Sequence, residues 1–396
     1  MFDQKACKRC GACLIACPAL QMTKDRARQE ILRLVDREAD DLVLANCAGC
    51  AYCDSICPTQ SNPSELRKDI LRARNRKTGV SGLRIISEDV PFNIMSAGLE
   101  TEKEAKLKRL DILKHPPPAS EVFYLGCALS YIYTDLAQNK LFEKLPAVGG
   151  MQYCCGAYAW HAFGEKEAQI RGRQLLAELK KTGVKSVITF CPECEDMLGH
   201  IYPSIIDGFD ISTRSVTDYL WEEHQGGRLP FTQPLSDKVT FHDSCAWRKL
   251  GPRIFESPRR LLRAMGAEVV EMKHNREKTM CCGAPLIGRN SQMAAGIAEK
   301  RAREARDAGA KVVAVGCAGC FSLSGAATKQ GLETYHLLEL VQMAAGDKPP
   351  HRIEEIKTQL VGSVISAMTS DASLASKKYI LRSEERRVGK ECRSRW

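Results

Sequence analysis

Two segments, CKRCGACLIACP at residues 7–18 and CAGCAYCDSICP at residues 47–58, repeat one spacing, C-x2-C-x2-C-x3-C-P. No other feature restricts the fold as strongly, because loops this short must turn eight thiols toward common centres. In this spacing the first three cysteines of a run hold one iron–sulfur cube and the fourth reaches across to the other. Cys7, Cys10, Cys13 and Cys57 are thereby expected on one cubane [4Fe–4S] cluster, and Cys47, Cys50, Cys53 and Cys17 on a second. Pro18 and Pro58 halt the backbone after each run. C-x2-C pairs also serve zinc, but two full eight-ligand sets in this order favour iron.

Between the runs lies TKDRARQEILRLVDREADDLVLAN, where Ala27, Ile31, Leu34, Val35 and Leu42 fall near one helical face. One long helix is expected there, in place of the β-hairpins of small ferredoxins. The segment is similar to the α-helical ferredoxins of respiratory and anaerobic electron-transfer subunits. Residues 59–120 are charged and weakly periodic, with ETEKEAKLKRLDILK read as helical. Pro116, Pro117 and Pro118 favour extended geometry and read as a boundary.

After the prolines the chain repeats itself. VFYLGCALS is echoed by VTFHDSCAW, CCGAYAWHAFG by CCGAPLIGRN, and KKTGVKSVITFCPEC by RDAGAKVVAVGCAGC. Each half offers five cysteines in the order C, C-C-G, C-x2-C: Cys127, Cys154, Cys155, Cys191 and Cys194, then Cys245, Cys281, Cys282, Cys317 and Cys320. The interval from Cys155 to Cys191 nearly equals that from Cys282 to Cys317, as a duplicated domain requires. EVFYL, KSVITF, KVTFH, AEVVEM and KVVAVG read as strands. EKEAQIRGRQLLAELKKTG and QMAAGIAEKRAREARDAG read as helices ending at glycine. Strands alternating with helices predict a parallel sheet in each half, with the cysteines in loops at strand C-terminal ends. Five thiols exceed what a simple cubane or tetrahedral zinc needs. Adjacent thiolates suit a multi-iron centre, and Gly156 and Gly283 are expected to let the backbone come close to it.

Paired ferredoxin runs followed by two CCG domains resemble the D-type subunits of heterodisulfide reductases, in which ferredoxin-type C and catalytic B subunits are fused. The resemblance covers about residues 5–345. It implies a noncubane [4Fe–4S] cluster on each five-cysteine set, and all ten positions are filled here. It also implies reduction of a disulfide at two clusters facing a common cleft, with Cys154, Cys155, Cys281 and Cys282 bearing the catalytic centres. Electrons would arrive through the cubanes from a flavoprotein or a membrane cytochrome b-type subunit. The iron–sulfur subunits of glycolate, lactate and glycerol-3-phosphate dehydrogenases share the layout, so an electron-transfer subunit of that type is the alternative. A scaffold in which clusters only hold the fold is a third reading.

His242, just before Cys245, is a candidate proton donor to a departing thiolate, set against a purely structural strand-end role. Lys249, Arg276, Lys278 and Arg289 lie near the second motif as candidate anion contacts. Hydrophobic content is 44% and charged content 27%, both ordinary for a globular chain. The nineteen cysteines without a secretion signal point to metal or redox chemistry. The net charge of +10 includes a final fifteen residues with six Lys/Arg against three Asp/Glu, and no basic run is interleaved with aromatics. Nucleic-acid binding is therefore not expected. No window reaches the length of a membrane helix, LVGSVISAMTSDASLA coming nearest. A cytoplasmic protein is expected, free or docked at the inner face of a membrane.

The expected fold is α+β and multidomain: an N-terminal α-helical two-cluster ferredoxin domain (1–75), a linker (76–118), and two tandem α/β CCG domains (119–232 and 233–348). A C-terminal extension (349–381) and a non-native tail (382–396) follow, the tail's Cys392 being excluded from every site.

Overall fold

The computed structural model describes residues 1–38, 41–87 and 90–381. The tail 382–396, with Cys392, lies outside them. The fold is α+β and multidomain, with two compact units. One comprises residues 1–70 and 215–354, and the other residues 71–214 together with 355 onward.

Each repeat builds a four-stranded sheet. The first contains β1 (Glu121–Gly126), β2 (Ala147–Gly149), β3 (Ser186–Thr189) and β4 (Ser212–Ser215), in the order β2-β1-β3-β4. β1 pairs in parallel with both β2 and β3. The second contains β5 (Lys238–His242), β6 (Glu268–Val269), β7 (Val312–Val315) and β8 (Glu333–His336), in the order β6-β5-β7-β8. All its pairs are parallel. The five strands expected from β-branched and aromatic runs are present. β2, β4 and β8 are additional, and each is only three or four residues long.

Helix α1 (Lys24–Val35) buries Ala27, Ile31, Leu34 and Val35, as its periodicity predicts. The single long helix expected across residues 23–46 is instead two. α1 stops at Val35, Arg37 takes a left-handed φ of 62°, and α2 (Asp41–Ala45) starts afresh. A bulky residue at positive φ cannot continue a right-handed helix. Leu42, expected on the buried face, is 42% exposed as a consequence of the new start. Pro63 opens α3 (Pro63–Thr78), and 94–114 carries two further helices, α4 (Ile94–Glu100) and α5 (Lys103–Lys114). Val80–Ser81 pairs antiparallel with Lys378–Tyr379, which ties the C-terminal extension to the segment after α3.

Two longer helices cover the sheets. In α6 (Glu165–Lys181), Ala168, Gly172, Leu175 and Leu179 form one buried stripe. The stripe packs with Val122, Tyr124 and Val187 of the first sheet, and each buried leucine contributes about 1.5–3 kcal/mol. In α7 (Ser291–Asp307), Ala294, Ile297, Ala298, Ala302 and Ala305 form the equivalent stripe, interrupted by a buried arginine, Arg301. The Asn290 side chain accepts from Met293 N at 3.0 Å and caps this helix.

Candidate metal centres

The eighteen cysteines among the described residues are all free. Cys7, Cys10, Cys13 and Cys57 line one small cavity, floored by Ile31 and edged by Ser61. Burial pushes the Cys13 thiol up to about 11, and the nearby thiols of Cys7, Cys57 and Cys10 push the same way. Cys17, Cys47, Cys50 and Cys53 line a second cavity. The fold thus gathers the two groups that the ferredoxin spacing pairs. Sequence reading did not anticipate the fifth cysteine of the second cavity, which is Cys281.

Cys281 is there because the N-terminal segment packs on the second repeat. Ala19, Cys281, Leu286, Ala294 and Ile297 form a hydrophobic cluster that Cys17, Ala48 and Cys50 complete. Cations fix this packing through backbone carbonyls beside the cysteines. Arg248 Nε donates to Cys50 O at 3.2 Å and its Nη2 to Thr279 O at 2.7 Å. Arg289 Nη2 donates to Cys47 O at 2.9 Å, and Lys300 Nζ to Pro18 O at 3.1 Å. Three of the four candidate anion contacts are committed elsewhere: Arg289 to Cys47 O at 2.9 Å, Lys249 to Glu65 at 3.0 Å and Arg276 to Glu256 at 2.6 Å.

In the first repeat the thiols form one network. Cys154 is hydrogen-bonded to Cys127 and Cys155, and these bonds hold its thiol well below its ordinary value. Cys155 is bonded in turn to Cys194, and Cys194 to Cys191. The loop is pinned by Arg171, whose Nε donates to Cys154 O at 3.1 Å and whose Nη2 donates to Met151 O and Gln152 O at 2.7 Å. Tyr202 Oη donates to Cys155 O at 2.5 Å.

In the second repeat Cys282 is hydrogen-bonded to Cys281 and Cys320, which hold it well below its ordinary value, with His242 adding to the effect. Cys320 is also bonded to Cys317. Cys245 opens the turn directly after β5, two residues beyond the buried Asp243. The donor atoms of His242, Cys282 and Cys320 lie within 4.8 Å of one another. His242 is buried, and Arg301 Nη2 lies 3.3 Å from its Nδ1. Arginine only donates, so Nδ1 accepts and the ring proton sits on Nε2. Burial holds this imidazole below its ordinary value, and the hydrogen bond to Cys282 opposes that. Tyr124 occupies the matching position in the first repeat, where its hydroxyl donates to Tyr153 O. The two cysteine sets therefore differ in this neighbour.

Gly156 and Gly283 follow the double cysteines with φ of 72° and 93°. A Cβ on Gly156 would meet Arg171 Cγ at 2.5 Å, and one on Gly283 would meet Ala294 O at 2.5 Å. Both glycines are thus required by left-handed backbone and by the helix packed over the loop.

The donor sets fit iron–sulfur clusters. Soft thiolates gathered in fours and fives suit iron, and buried guanidinium groups beside them, Arg67 and Arg301, keep nitrogens without hydrogen-bond partners among the described residues. A separate cavity of about 470 Å³ lies where Phe123, Leu125 and Phe142 face α5, and none of the cysteines lines it. No helix among the described residues is long and apolar enough to cross a membrane.

Comparison with known proteins agrees with this layout. The 4Fe-4S dicluster domain family matches residues 1–58, and the CCG cysteine-rich domain family matches residues 122–199 and 239–323. The D-type subunit of the dihydromethanophenazine:CoB--CoM heterodisulfide reductase of Methanosarcina barkeri is 23% identical over 394 residues, 87% of this chain and 95% of that protein. The EtfAB:quinone oxidoreductase of Syntrophomonas wolfei is 23% identical over 346 residues. That match takes in 72% of this chain but only 48% of the relative, so the chain spans about half of that protein's length. The probable iron-sulfur-binding oxidoreductase FadF of Bacillus subtilis is 30% identical over 174 residues, 42% of this chain and 24% of that one. A crystal structure of a hypothetical protein from Helicobacter pylori shares the fold, with a TM-score of 0.51 over 83% of this chain and 66% of that one, at 13% identity. Two ferredoxin-type runs, two five-cysteine repeats and these relatives together identify the chain as a CCG-domain iron–sulfur protein, homologous to the D-type subunits of heterodisulfide reductases.

Proposed function

We propose that this chain is an iron–sulfur oxidoreductase subunit that reduces a disulfide, or a heterodisulfide, to two thiols. The balance is R–S–S–R′ plus two electrons and two protons giving RSH and R′SH. The observation that carries the reading is the completeness of both five-cysteine sets, each standing at the strand ends of its own sheet. Cys7, Cys10, Cys13 and Cys57 would hold one cubane cluster, and Cys17, Cys47, Cys50 and Cys53 the other. Cys127, Cys154, Cys155, Cys191 and Cys194 would hold one noncubane cluster, and Cys245, Cys281, Cys282, Cys317 and Cys320 the second. When bound, such clusters supply one-electron carriage, which thiols alone do not.

The chain's own residues do the rest. Cys10 is exposed, so the first set opens toward a redox partner, which we take to be a flavoprotein or a membrane cytochrome b-type subunit. Cys50 touches Cys281, so the second set abuts the second repeat. Cys154, Cys155, Cys194, Cys281, Cys282 and Cys320 are buried, which excludes water from the thiolates. His242, neutral with its proton on Nε2, would donate a hydrogen bond to sulfur beside Cys282, while both protons in the balance come from solvent. The modules expected at 1–75, 119–232 and 233–348 fit this division of labour.

A second reading is favoured by the quinone oxidoreductase relative, which matches 72% of this chain. Here the chain only relays electrons from a flavoprotein toward quinone. EPR of the oxidised, anaerobically purified protein separates the two. Disulfide reduction requires that candidate thiols or disulfides alter a signal from the CCG sites, and that chemical reductant and disulfide together release thiol. An untouched spectrum with no thiol release rejects disulfide reduction and leaves the relay.

A further inference from the structure

Arg67, near the start of α3, is 4% exposed. Its Nη2 donates to Cys53 Sγ at 2.5 Å, while its buried Nε and Nη1 have no hydrogen-bond partner among the described residues. A buried cation with two idle nitrogens persists only where negative charge faces it. The charges facing Arg67 come from both four-cysteine groups. Cys53, Cys47 and Cys17 belong to one and Cys13 to the other. In the sequence, Arg67 stands within SELRKDILRARNRK, part of the charged and weakly periodic stretch 59–120.

From this geometry we infer that Arg67 is the electrostatic tuning residue of the ferredoxin domain, raising the reduction potential of the Cys17/Cys47/Cys50/Cys53 centre above that of the Cys7/Cys10/Cys13/Cys57 centre. The inference rests on the proposed assignment of these two groups to cubane clusters. Reduction of such a centre adds one electron and one negative charge, with no bond broken and no proton taken up. A fixed positive charge in a dry site favours the reduced form, and most strongly at the group it touches. Hydrogen bonds to ligand sulfur act in the same direction. Arg67 contacts Cys53 and lines the cavity of the group beside Cys281, whereas it is not among the residues lining the cavity of the group with the exposed Cys10. The bias therefore runs from the exposed group toward the one at the second repeat. It is built into the chain before any partner docks.

The test is an EPR-monitored redox titration of the full chain with dithionite and mediators, together with iron analysis, on wild type, Arg67→Gln and Arg67→Lys. In Arg67→Gln the equilibrium constant for one-electron reduction of the second cubane should fall at least tenfold, a shift of about 59 mV to more negative potential. The first cubane should shift less. Arg67→Lys keeps the charge and loses the planar fork, so a smaller fall of about threefold is expected. That variant decides the matter if the glutamine variant fails to load iron. Two unmoved midpoints in an iron-replete variant overturn the inference, as does an equal shift of both cubanes. A wild type lacking two cubane signals overturns the cluster assignment itself, and that failure is visible before any variant is made.

Discussion

Cys50, in the second ferredoxin-type run, is hydrogen-bonded through its thiol to Cys281, the first of the second double cysteine. The bond holds Cys50 at about 6, below its ordinary value of 9.0. Two sites that the sequence places more than two hundred residues apart thus share a sulfur–sulfur contact. If both thiols are cluster ligands, Cys50→Ser should disturb more than its own site. We expect loss of up to about four of sixteen iron atoms per chain, the content of one four-iron cluster out of four. We also expect a changed EPR signal from the second CCG site and an unchanged one from the first. A wild type with close to eight iron atoms and only cubane signals would show that the CCG sites do not carry clusters.

His242 separates the two repeats chemically. Replacing a hydrogen-bond partner of a metal ligand commonly costs 10- to 100-fold in affinity or activity. His242→Leu should therefore lower disulfide reduction by about that factor while iron content stays near the wild-type value. Thiol release and iron are both measured on the same preparation. Full activity in the variant would leave His242 a packing residue.

What the sequence made legible followed from chemistry that depends on spacing. The eight ferredoxin-type cysteines form the two groups that their short intervals dictate, and β5 and β7 follow from the runs KVTFH and KVVAVG. What stayed hidden depended on long-range packing. Nothing in residues 36–40 announces that Arg37 turns left-handed and divides a periodic segment into two helices. Arg289 reads as a candidate anion contact until Cys47 O is brought to it. Arg67 and Arg301 lie in densely charged stretches, where charge ordinarily signals solvent, yet both are buried. Short strands such as Ala147–Gly149 carry too few residues for an alternating pattern to register.

Asp243, next to His242, is a structural residue. It is fully buried, and Oδ1 and Oδ2 accept from Arg259 Nη1 and Nη2 at 2.7 and 2.9 Å. Oδ2 also accepts from Arg276 N at 2.7 Å, which fixes the segment leading to Cys281. Removing one partner of a buried pair leaves the other charge uncompensated, at a cost of about 3–5 kcal/mol. Asp243→Asn should lose stability of that order in denaturant titration, and should load less iron at the second CCG site than at the first. A loss below 1 kcal/mol, by roughly the standard of a surface pair, would mean that Arg259 is held by Glu271 alone.

His351 gives a pH dependence of known sign. Its Nδ1 lies 2.9 Å from Glu339 Oε1, and its side chain is 41% exposed while that of Glu339 is 5% exposed. The hydrogen bond to Glu339 raises the imidazole above its ordinary value of 6.5, with burial opposing. The folded chain therefore keeps this proton to higher pH than the unfolded chain does. The resulting stability is fully present below about 6.5, the unfolded value, and is lost as pH rises through the raised folded value. Solvent screening of a half-exposed pair limits it to at most about 1 kcal/mol. His351→Gln should melt below wild type at about pH 6, and the gap should close as pH rises through the raised folded value, above which the imidazole is neutral in both states. Melting of both proteins across this range provides the measurement. A gap that widens toward alkaline pH would show that His351 stabilises the fold as a neutral ring, through its tilted contact with the Tyr335 ring at a centroid distance of 4.3 Å.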